Sequence, residues 1–230
     1  MDWNRFISPK SQGVEVSLTT YCNANCPLCA RTDPFTGVKK ESIPLLHISF
    51  EVYKKFVDEI KPDPDDSILL CGDYGDPMMH PKVEDIIDYT ISKYNSYVAM
   101  DTNGGVRSTD FYKRIAQKYK DKVYINFSID GFNSATNEQY RVDVDFNKAI
   151  ENLKTFAKYN PWSCTWQMLL FNYNYHQVDQ VAEFCEQHKI FFDFKMNTRS
   201  WKFRKIEDDA VKELVKQKQE KYKYLMPNAN

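Results

Sequence analysis

Hydrophobic positions along this chain fall into short apolar runs separated by amphipathic stretches. The runs are rich in β-branched and aromatic residues and are bounded by turn residues, so they predict six strands, at 14–19, 67–71, 97–101, 123–129, 165–171 and 191–195. Each strand is followed by a stretch of helical period. These stretches lie near 49–61, 82–94 and 109–119, then in segments after the fourth strand that end at about 158, and then near 177–188 and 208–224. Regular alternation of strand and helix is typical of a parallel α/β sheet.

The number of strand-helix units selects the architecture within this class. Six units favour an open, partial (β/α)6 barrel, because a closed eight-unit barrel takes about 250 residues and this chain has 230. A chain of this length builds one substantial core. We therefore expect an N-terminal segment at 1–12, one core domain at 13–200 and a C-terminal helix and tail at 201–230.

Composition and charge narrow the classes of partner. The formal net charge is -1, so no global positive field draws the chain to nucleic acid or to an anionic membrane. The first residues contain no apolar signal region, and no later run approaches the roughly 20 apolar residues of a membrane span. We expect a cytoplasmic protein without a membrane partner.

Cysteine spacing provides the first sign of chemistry. Three of the six cysteines are crowded into the segment TTYCNANCPLC, as Cys22, Cys26 and Cys29. Without a secretory signal, such crowding indicates a metal site or catalysis more than disulfides. Three thiolates leave one iron of a 4Fe-4S cluster open for an exchangeable ligand. Two alternatives remain: a structural zinc with His47 or His80 as fourth ligand, and free buried thiols.

This segment, following the first strand, resembles the C-x3-C-x2-C motif of the radical S-adenosylmethionine (SAM) superfamily. In that family three cysteines hold a 4Fe-4S cluster, whose fourth iron chelates the amino and carboxylate groups of SAM. The resemblance implies that Cys22, Cys26 and Cys29 are cluster ligands and that the cofactors are a 4Fe-4S cluster and SAM.

The segments after the second and third strands strengthen the resemblance. GDYGDP is similar to the family's Gly-Gly-Glu-Pro motif, although Asp replaces Glu and Tyr74 replaces a glycine. It assigns Gly75, Asp76 and Pro77 to the SAM amino group; a carboxylate suits a cationic ammonium. Thr102 and Asn103 match the Thr-Asn-Gly found near SAM in many members. Taken alone, both segments also suit simple turns.

The fourth strand ends in INFSIDG, which resembles the Ser-Ile-Asp-Gly of the peptide-modifying and anaerobic sulfatase-maturing branch. The match assigns Ser128 and Asp130 to the SAM side of the barrel and the following Arg141 to the SAM carboxylate. A planar guanidinium is a suitable partner for a carboxylate. A surface arginine on a solvated turn is the alternative. The combined motifs are also similar to compact radical SAM proteins of marine bacteria and their phages.

The resemblance implies an enzyme that reductively cleaves SAM, forms a 5'-deoxyadenosyl radical and abstracts hydrogen from a substrate. A peptide or protein is the first expectation for that substrate, and a nucleotide, tRNA base or small metabolite is the second. A non-catalytic iron-sulfur or zinc-binding protein is the competing class. An electron donor of the flavodoxin or ferredoxin type is implied as a partner. The chain lacks the Cys-rich extension of peptide-modifying relatives, so we expect no auxiliary cluster.

Some polar residues beyond these motifs have two interpretations. Gln167, on the fifth strand, could meet SAM or substrate, because ligands collect at the carboxyl ends of parallel strands. Asn174 follows the same strand and is expected to cap a helix. We expect Cys71, after the second strand, to pack as a small apolar residue. No catalytic side chain is assigned.

Overall fold

A computed structural model describes residues 13–33, 35, 36, 38–197 and 204–227, so the predicted N-terminal segment 1–12 lies outside the described residues. Six strands form one sheet in chain order, and all neighbours are parallel. The strands are β1 (Gly13–Ser17), β2 (Ser67–Cys71), β3 (Tyr97–Thr102), β4 (Val123–Ser128), β5 (Cys164–Leu170) and β6 (Phe191–Met196).

Helices connect the strands. They are α1 (Phe50–Ile60), α2 (Val83–Tyr94), α3 (Thr109–Tyr119), α4 (Ser134–Asn137), α5 (Phe146–Tyr159), α6 (Val178–His188) and α7 (Asp209–Lys221). Single 3-10 turns occur at Pro77–Met79, Lys120–Lys122, Tyr175–Gln177 and Lys223–Leu225. No helix in the described part of the chain has the length and apolarity needed to cross a bilayer.

Local signals in the sequence explain where several helices begin and end. Ser49 caps α1, because its side chain accepts a hydrogen bond from the backbone N–H of Val52. Lys61 follows the last residue of α1 and Asn95 that of α2, and both adopt the left-handed conformation that commonly ends a helix. Helix α2 begins at Val83, two residues after Pro81.

One face of the sheet packs against the helices and forms the main core. The Phe127 ring on β4 lies 5.5 Å from Tyr112 of α3 and 6.4 Å from Phe156 of α5, measured between ring centroids. Trp166 on β5 lies 5.5 Å from Phe184 of α6. These aromatic side chains fix each helix over its own pair of strands.

The other face of the sheet lines the inside of the open barrel. A small apolar cluster forms its floor, from Ala99 and Tyr124 with Leu69 and Phe191 packed against them. Further along the strands the inward positions become polar. The register places Asp101 opposite Asn126, and Gln167 opposite both Ser128 and Asp193.

Neither end of the sheet pairs with the other within the described residues, since the strand order runs from β1 to β6 without closure. The prediction of an open parallel α/β barrel is therefore confirmed. Because all six strands run the same way, the loops after their carboxyl ends meet at one edge of the barrel.

Candidate functional site

A cavity of about 490 Å³ opens at this edge of the barrel. All three predicted cluster ligands line it. So do seven of the eight residues predicted to contact SAM: Gly75, Asp76, Thr102, Asn103, Ser128, Asp130 and Arg141. The eighth, Pro77, is buried and begins a 3-10 turn beside the cavity. Residues from four separate loops of the sequence thus meet around one space.

The cysteine loop is held in a tight turn by its own backbone. The N–H of Cys29 donates to the carbonyl of Cys26 (3.1 Å), and the hydroxyl of Thr32 donates to the same carbonyl (3.0 Å). Cys26 is buried, whereas Cys22 and Cys29 are half-buried. Burial raises the pKa of the Cys22 thiol to about 11 and also raises that of Cys26. A metal cation would favour the thiolate forms.

The side chains around the cavity fit a cluster with three protein ligands. His80 is unsuited as a fourth ligand: its Nε2 lies 2.8 Å from the carbonyl of Ile48, and its Nδ1 accepts the N–H of Lys82. The Cys71 thiol lies among carboxylates, with one atom each of Glu15, Cys71 and Asp73 within 4.8 Å of one another. His47 stacks on Tyr21 and is not among the residues that line the cavity. The donors that the cysteine loop itself offers are thiolates, which suit iron-sulfur chemistry.

Cys71 differs from its predicted packing role. It is half-buried and lines the cavity at the end of β2. Burial, with the neighbouring Asp101 charge, raises the pKa of its thiol to about 12. Two other cysteines, Cys164 and Cys185, are fully buried in the core. None of the three has cysteine neighbours arranged like those in the loop, so no second cluster is supported by the described residues.

Two glycines allow the loop after β2 to lie against the cysteine loop. A Cβ atom on Gly75 would overlap the backbone carbonyl oxygens of Thr19 and Tyr21, and one on Gly72 would overlap the carbonyl of Gly75. The N–H of Asp76 donates to the carbonyl of Tyr21 (2.8 Å), which joins the two loops. Only glycine permits this approach.

The Asp76 carboxylate connects the loop after β2 to the end of β3. Its carboxylate, 3% exposed, accepts hydrogen bonds from the backbone N–H groups of Met78 and Asn103, each at 2.9 Å. It also accepts the hydroxyl of Thr102, at 3.0 and 2.9 Å to its two oxygens. Burial raises the pKa of Asp76, against the opposing effect of these donors. The carboxylate therefore fixes the end of β3 against the loop after β2, which its backbone N–H joins to the cysteine loop.

Asn103 extends this connection to a predicted cluster ligand. Its Nδ2 donates to Oδ1 of Asn23 (2.8 Å) and lies 3.9 Å from Sγ of Cys22. The side-chain oxygen of Asn103, Oδ1, accepts a hydrogen bond from the backbone N–H of Gly105 (2.9 Å). Asn23 was not singled out in the sequence, where it is only a polar residue between two cysteines.

Asp130 and Arg141 form a buried ion pair on the opposite side of the cysteine loop. Arg141 Nε donates to Oδ2 of Asp130 at 2.6 Å, and Oδ1 accepts the N–H of Leu169 at 2.6 Å. Arg141 Nη1 lies 3.8 Å from Sγ of Cys26. Burial opposes the charge of Arg141, but Asp130 and Cys26 outweigh it and raise its pKa. The alternative of a solvated surface arginine is wrong.

Asn174 supports Asp130 and does not cap a helix through its side chain. Its Nδ2 donates to the carbonyls of Asp130 (2.8 Å) and Leu169 (2.9 Å), and its Oδ1 accepts the N–H of Phe171 (2.7 Å). The expected cap is thus wrong, because a fully buried amide satisfies three buried backbone groups here.

The structure also brings residues to the cavity that were not selected from the sequence. The charged ones among them are Arg31, Asp73, Asp101, Asp193 and Lys195. Gln167, which the sequence suggested for SAM or substrate, also lines the cavity. A signal for Asp101 and Asp193 exists, since each interrupts an apolar strand at an inward-facing position. Arg31 follows the cysteine loop and has no such signal, yet only 6% of it is exposed.

Comparison with known families identifies this combination of fold and site. The model of the radical SAM superfamily matches residues 16–185, which is most of the chain. The chain belongs to the radical SAM superfamily. Members of this superfamily use a 4Fe-4S cluster and SAM, so the predictions of the family, of a radical SAM enzyme and of both cofactors are confirmed at the level of the superfamily.

Curated radical SAM relatives are similar over part of their length. GTP 3',8-cyclase of Aliarcobacter butzleri is 24% identical over 221 residues, covering 93% of this chain and 65% of that protein. The antilisterial bacteriocin subtilosin biosynthesis protein AlbA of Bacillus subtilis is 30% identical over 141 residues, covering 60% of this chain and 28% of AlbA. The chain thus spans less than two thirds of the curated relatives that it matches.

Solved structures of radical SAM proteins share the fold. SuiB of Streptococcus suis bound to S-adenosylmethionine superposes with a TM-score of 0.64 and 16% identity, over 92% of this chain and 48% of SuiB. The structure of anSMEcpe with bound AdoMet gives 0.60 and 15%, over 84% of this chain and 55% of that one. At these identities the likeness concerns the fold.

Proposed function

We propose that this chain is a radical SAM enzyme whose cluster is held by Cys22, Cys26 and Cys29 and whose substrate is a peptide or protein. The observation that carries the proposal is the meeting of three thiols, a buried Asp and a buried Arg-Asp pair around one cavity. Structural zinc or inert thiols would explain the cysteines but would not require the other side chains.

Cys22, Cys26 and Cys29 would hold the 4Fe-4S cluster, which when reduced would supply the electron for the cleavage of SAM. The protein's own residues bind and orient. Asp76 holds Thr102 and Asn103 at the cavity wall, and it retains acceptor capacity for the SAM ammonium, since a carboxylate offers about four lone-pair sites.

Arg141 is proposed to hold the SAM carboxylate. Its Nε is occupied by Asp130 and its Nη1 lies near Cys26, which leaves Nη2 to donate. Because Asp130 is itself fixed by the N–H of Leu169, the guanidinium is oriented before SAM binds. Preorganised donors of this kind cost little reorganisation at the moment of reaction.

A peptide substrate is supported by two similarities. SuiB, with a TM-score of 0.64 over 93% of this chain, has a structure bound to its precursor peptide SuiA. AlbA acts in the biosynthesis of a bacteriocin, subtilosin. A nucleotide is the second candidate, because the GTP 3',8-cyclase relative matches 93% of this chain.

An electron donor of the flavodoxin or ferredoxin type completes the proposal. The cluster potential depends on charge, hydrogen bonds and exposure, and the reductive step needs a low-potential partner. Cys22 and Cys29 are half-buried, so the cysteine loop lies close enough to the surface for such a partner to approach.

The test is an anaerobic assay of SAM cleavage. The protein is reconstituted with iron and sulfide, then given dithionite and SAM, or flavodoxin with its reductase as the reductant. We expect slow release of 5'-deoxyadenosine without substrate, and none from the Cys26→Ala variant. Zinc bound with no iron would reject the proposal, and S-adenosylhomocysteine as the sole product would indicate polar methyl transfer instead.

A further inference from the structure

The cavity continues beyond the residues assigned to the cofactors. Its far wall consists of Asp101 on β3, Gln167 on β5, and Asp193 and Lys195 on β6, all of which line the same space as the cysteine loop. In the sheet register Gln167 pairs with Asp193, and Leu169 pairs with Lys195. Gln167 also pairs with Ser128, and Asp101 directly precedes Thr102, so the far wall adjoins the cofactor residues within one cavity.

The side chains of the far wall are largely free to meet a ligand. Within the described residues, Gln167, Asp193 and Lys195 form no side-chain hydrogen bond or ion pair. The Asp101 carboxylate accepts hydrogen bonds from Nδ2 of Asn126 (2.7 Å) and from the Cys71 thiol. By contrast, the acids of the cofactor half are occupied: Asp76 accepts three donors and Asp130 is paired with Arg141.

The charge balance on this side of the cavity is negative. Asp101 and Asp193 face one cation, Lys195, and Glu15 and Asp73 lie beside Cys71 at the same side of the barrel. Burial raises the pKa of the Asp101 carboxyl, because its charge lies in a poorly solvated place. Lys195 can balance only one of the two far-wall acids. The remaining partly buried charge costs free energy, which a bound cation would offset.

We infer that the far wall binds a cationic group of the substrate, an ammonium or a guanidinium, with Asp101 and Asp193 as acceptors and Gln167 as a neutral hydrogen-bonding partner. The inference deepens the proposed function and rests on it, because the same cavity must also hold SAM. Lys195 weakens the attraction of the far wall for cations. The preference for cations over anions therefore depends on the excess of acids over bases in the far wall.

Two sources of such a cation are distinguishable with simple probes. The protein carrying cluster and SAM, kept oxidised so that no turnover occurs, is titrated with n-butylammonium, n-butyrate and n-butanol by ligand-observed NMR. The peptides acetyl-Gly-Lys-Gly-amide and acetyl-Gly-Glu-Gly-amide are titrated in parallel. We expect the cationic member of each set to bind about tenfold more tightly, as one charge-assisted hydrogen bond allows. Tighter binding of the lysine peptide than of butylammonium would identify a peptide source, and the reverse a small amine.

Amino-acid substitutions then test which side chains produce the preference for cations. Asp101→Asn and Asp193→Asn should each reduce the cation preference several-fold, since each removes one acceptor charge. Lys195→Glu should increase it, and because Lys195 is exposed this change leaves the packed core intact. Lys216→Glu, on the outer helix α7 with its side chain 67% exposed, makes the same charge change away from the cavity and should leave the preference unaltered.

Equal binding of cation and anion, or a preference that survives both Asp variants and ignores Lys195→Glu, would overturn the inference. SAM binding and 5'-deoxyadenosine release are measured on the same wild-type preparation. If SAM is bound and cleaved but no cation preference exists, only the far-wall inference fails. If SAM is neither bound nor cleaved, the proposed function fails first.

Discussion

At the scale of single residues, the cofactor half of the cavity depends on a few buried polar groups that each satisfy several partners. Asp76 accepts three donors from two loops, and Asp130 accepts both Arg141 and the N–H of Leu169. A buried polar group left without its partner costs about 1–3 kcal/mol. Changes at these residues should therefore affect both ligand binding and stability.

Replacing Cys22, Cys26 or Cys29 with Ala should abolish the visible absorption of the reconstituted cluster. A 4Fe-4S cluster requires each of its thiolate ligands. Cys71→Ala is a demanding control, because Cys71 lines the same cavity but lies among carboxylates, and it should retain the absorption. Unchanged absorption in the Cys26 variant would contradict the ligand assignment.

Asp76→Ala should weaken SAM binding, measured by anaerobic calorimetry, while iron content stays near normal. The change removes an acceptor proposed for the SAM ammonium and leaves the N–H groups of Met78 and Asn103 without their partner. Thr102→Ser keeps the hydroxyl that donates to Asp76 and should bind SAM as the wild type does, whereas Thr102→Val should not. Equal SAM affinity in Asp76→Ala would remove Asp76 from the site.

At the scale of elements, the site depends on loops that approach each other closely and on helices that hold them. The loop after β2 lies against the cysteine loop only because Gly75 has no side chain. At the other end of the chain, α7 is attached to α6 through Asp179. This carboxylate accepts hydrogen bonds from Nζ of Lys218 and from the hydroxyl of Tyr222, each at 2.5 Å.

Gly75→Ala should destabilise the fold by about 1–3 kcal/mol, as overpacking typically does, and should lower iron incorporation. The added Cβ would displace the carbonyls of Thr19 and Tyr21, which directly precede the first cysteine. Gly13→Ala is the matched control, since its Cβ would meet nothing closer than Ser67 Oγ at 3.8 Å. Urea unfolding and iron analysis of both variants would measure the two effects, and similar behaviour of the pair would contradict the assigned contact.

Asp179→Asn should increase amide hydrogen exchange in α7 but not in the central strands. Burial opposes ionisation of Asp179, but hydrogen bonds from Lys218 and Tyr222 outweigh it and lower its pKa from 3.8 to about 2. A lowered folded-state pKa means that the stabilisation is present above about pH 4 and is lost as pH falls towards 2. Asp209→Asn, whose carboxylate pairs with Lys212 and is 94% exposed, should leave exchange unchanged. An NMR titration of the Asp179 carboxyl carbon would check the pKa.

At the scale of the whole molecule, the order of elements was predictable and the polar network was not. Alternating apolar runs fixed the six strands, because periodicity records which side of a strand or helix is buried. The crowding of Cys22, Cys26 and Cys29 is visible in the sequence, since the three ligands are local. The contact of Arg141 with Asp130 and Cys26 joins the loop after β4 to the cysteine loop, 115 residues away in the sequence. No local pattern specifies such a meeting.

Two predictions from the sequence, for Asn174 and for Cys71, were wrong for the same physical reason. Asn174 was expected to cap a helix, as an Asn after a strand commonly does, but Asp130 and Leu169 carbonyls compete for its amide. Cys71 was expected to pack as an apolar residue, but the neighbouring strands bring Glu15 and Asp101 to its side. In both cases tertiary neighbours outweighed the local preference.

The linear order of the strands separates the residues proposed for the cofactors from most of those proposed for the substrate. Every strand pairs only with its neighbours in the chain, so the loops with the proposed cluster and SAM residues follow β1 to β4, whereas Gln167, Asp193 and Lys195 project from β5 and β6. Strand β5 fixes Asp130 through the N–H of Leu169, but β6 pairs only with β5 in the described sheet. Substitutions on β6 can therefore accumulate with little effect on the cysteine loop. Descendants of one ancestral chain could diverge in the molecules that they select while retaining the same cofactors, by changing one edge of the sheet and conserving the other.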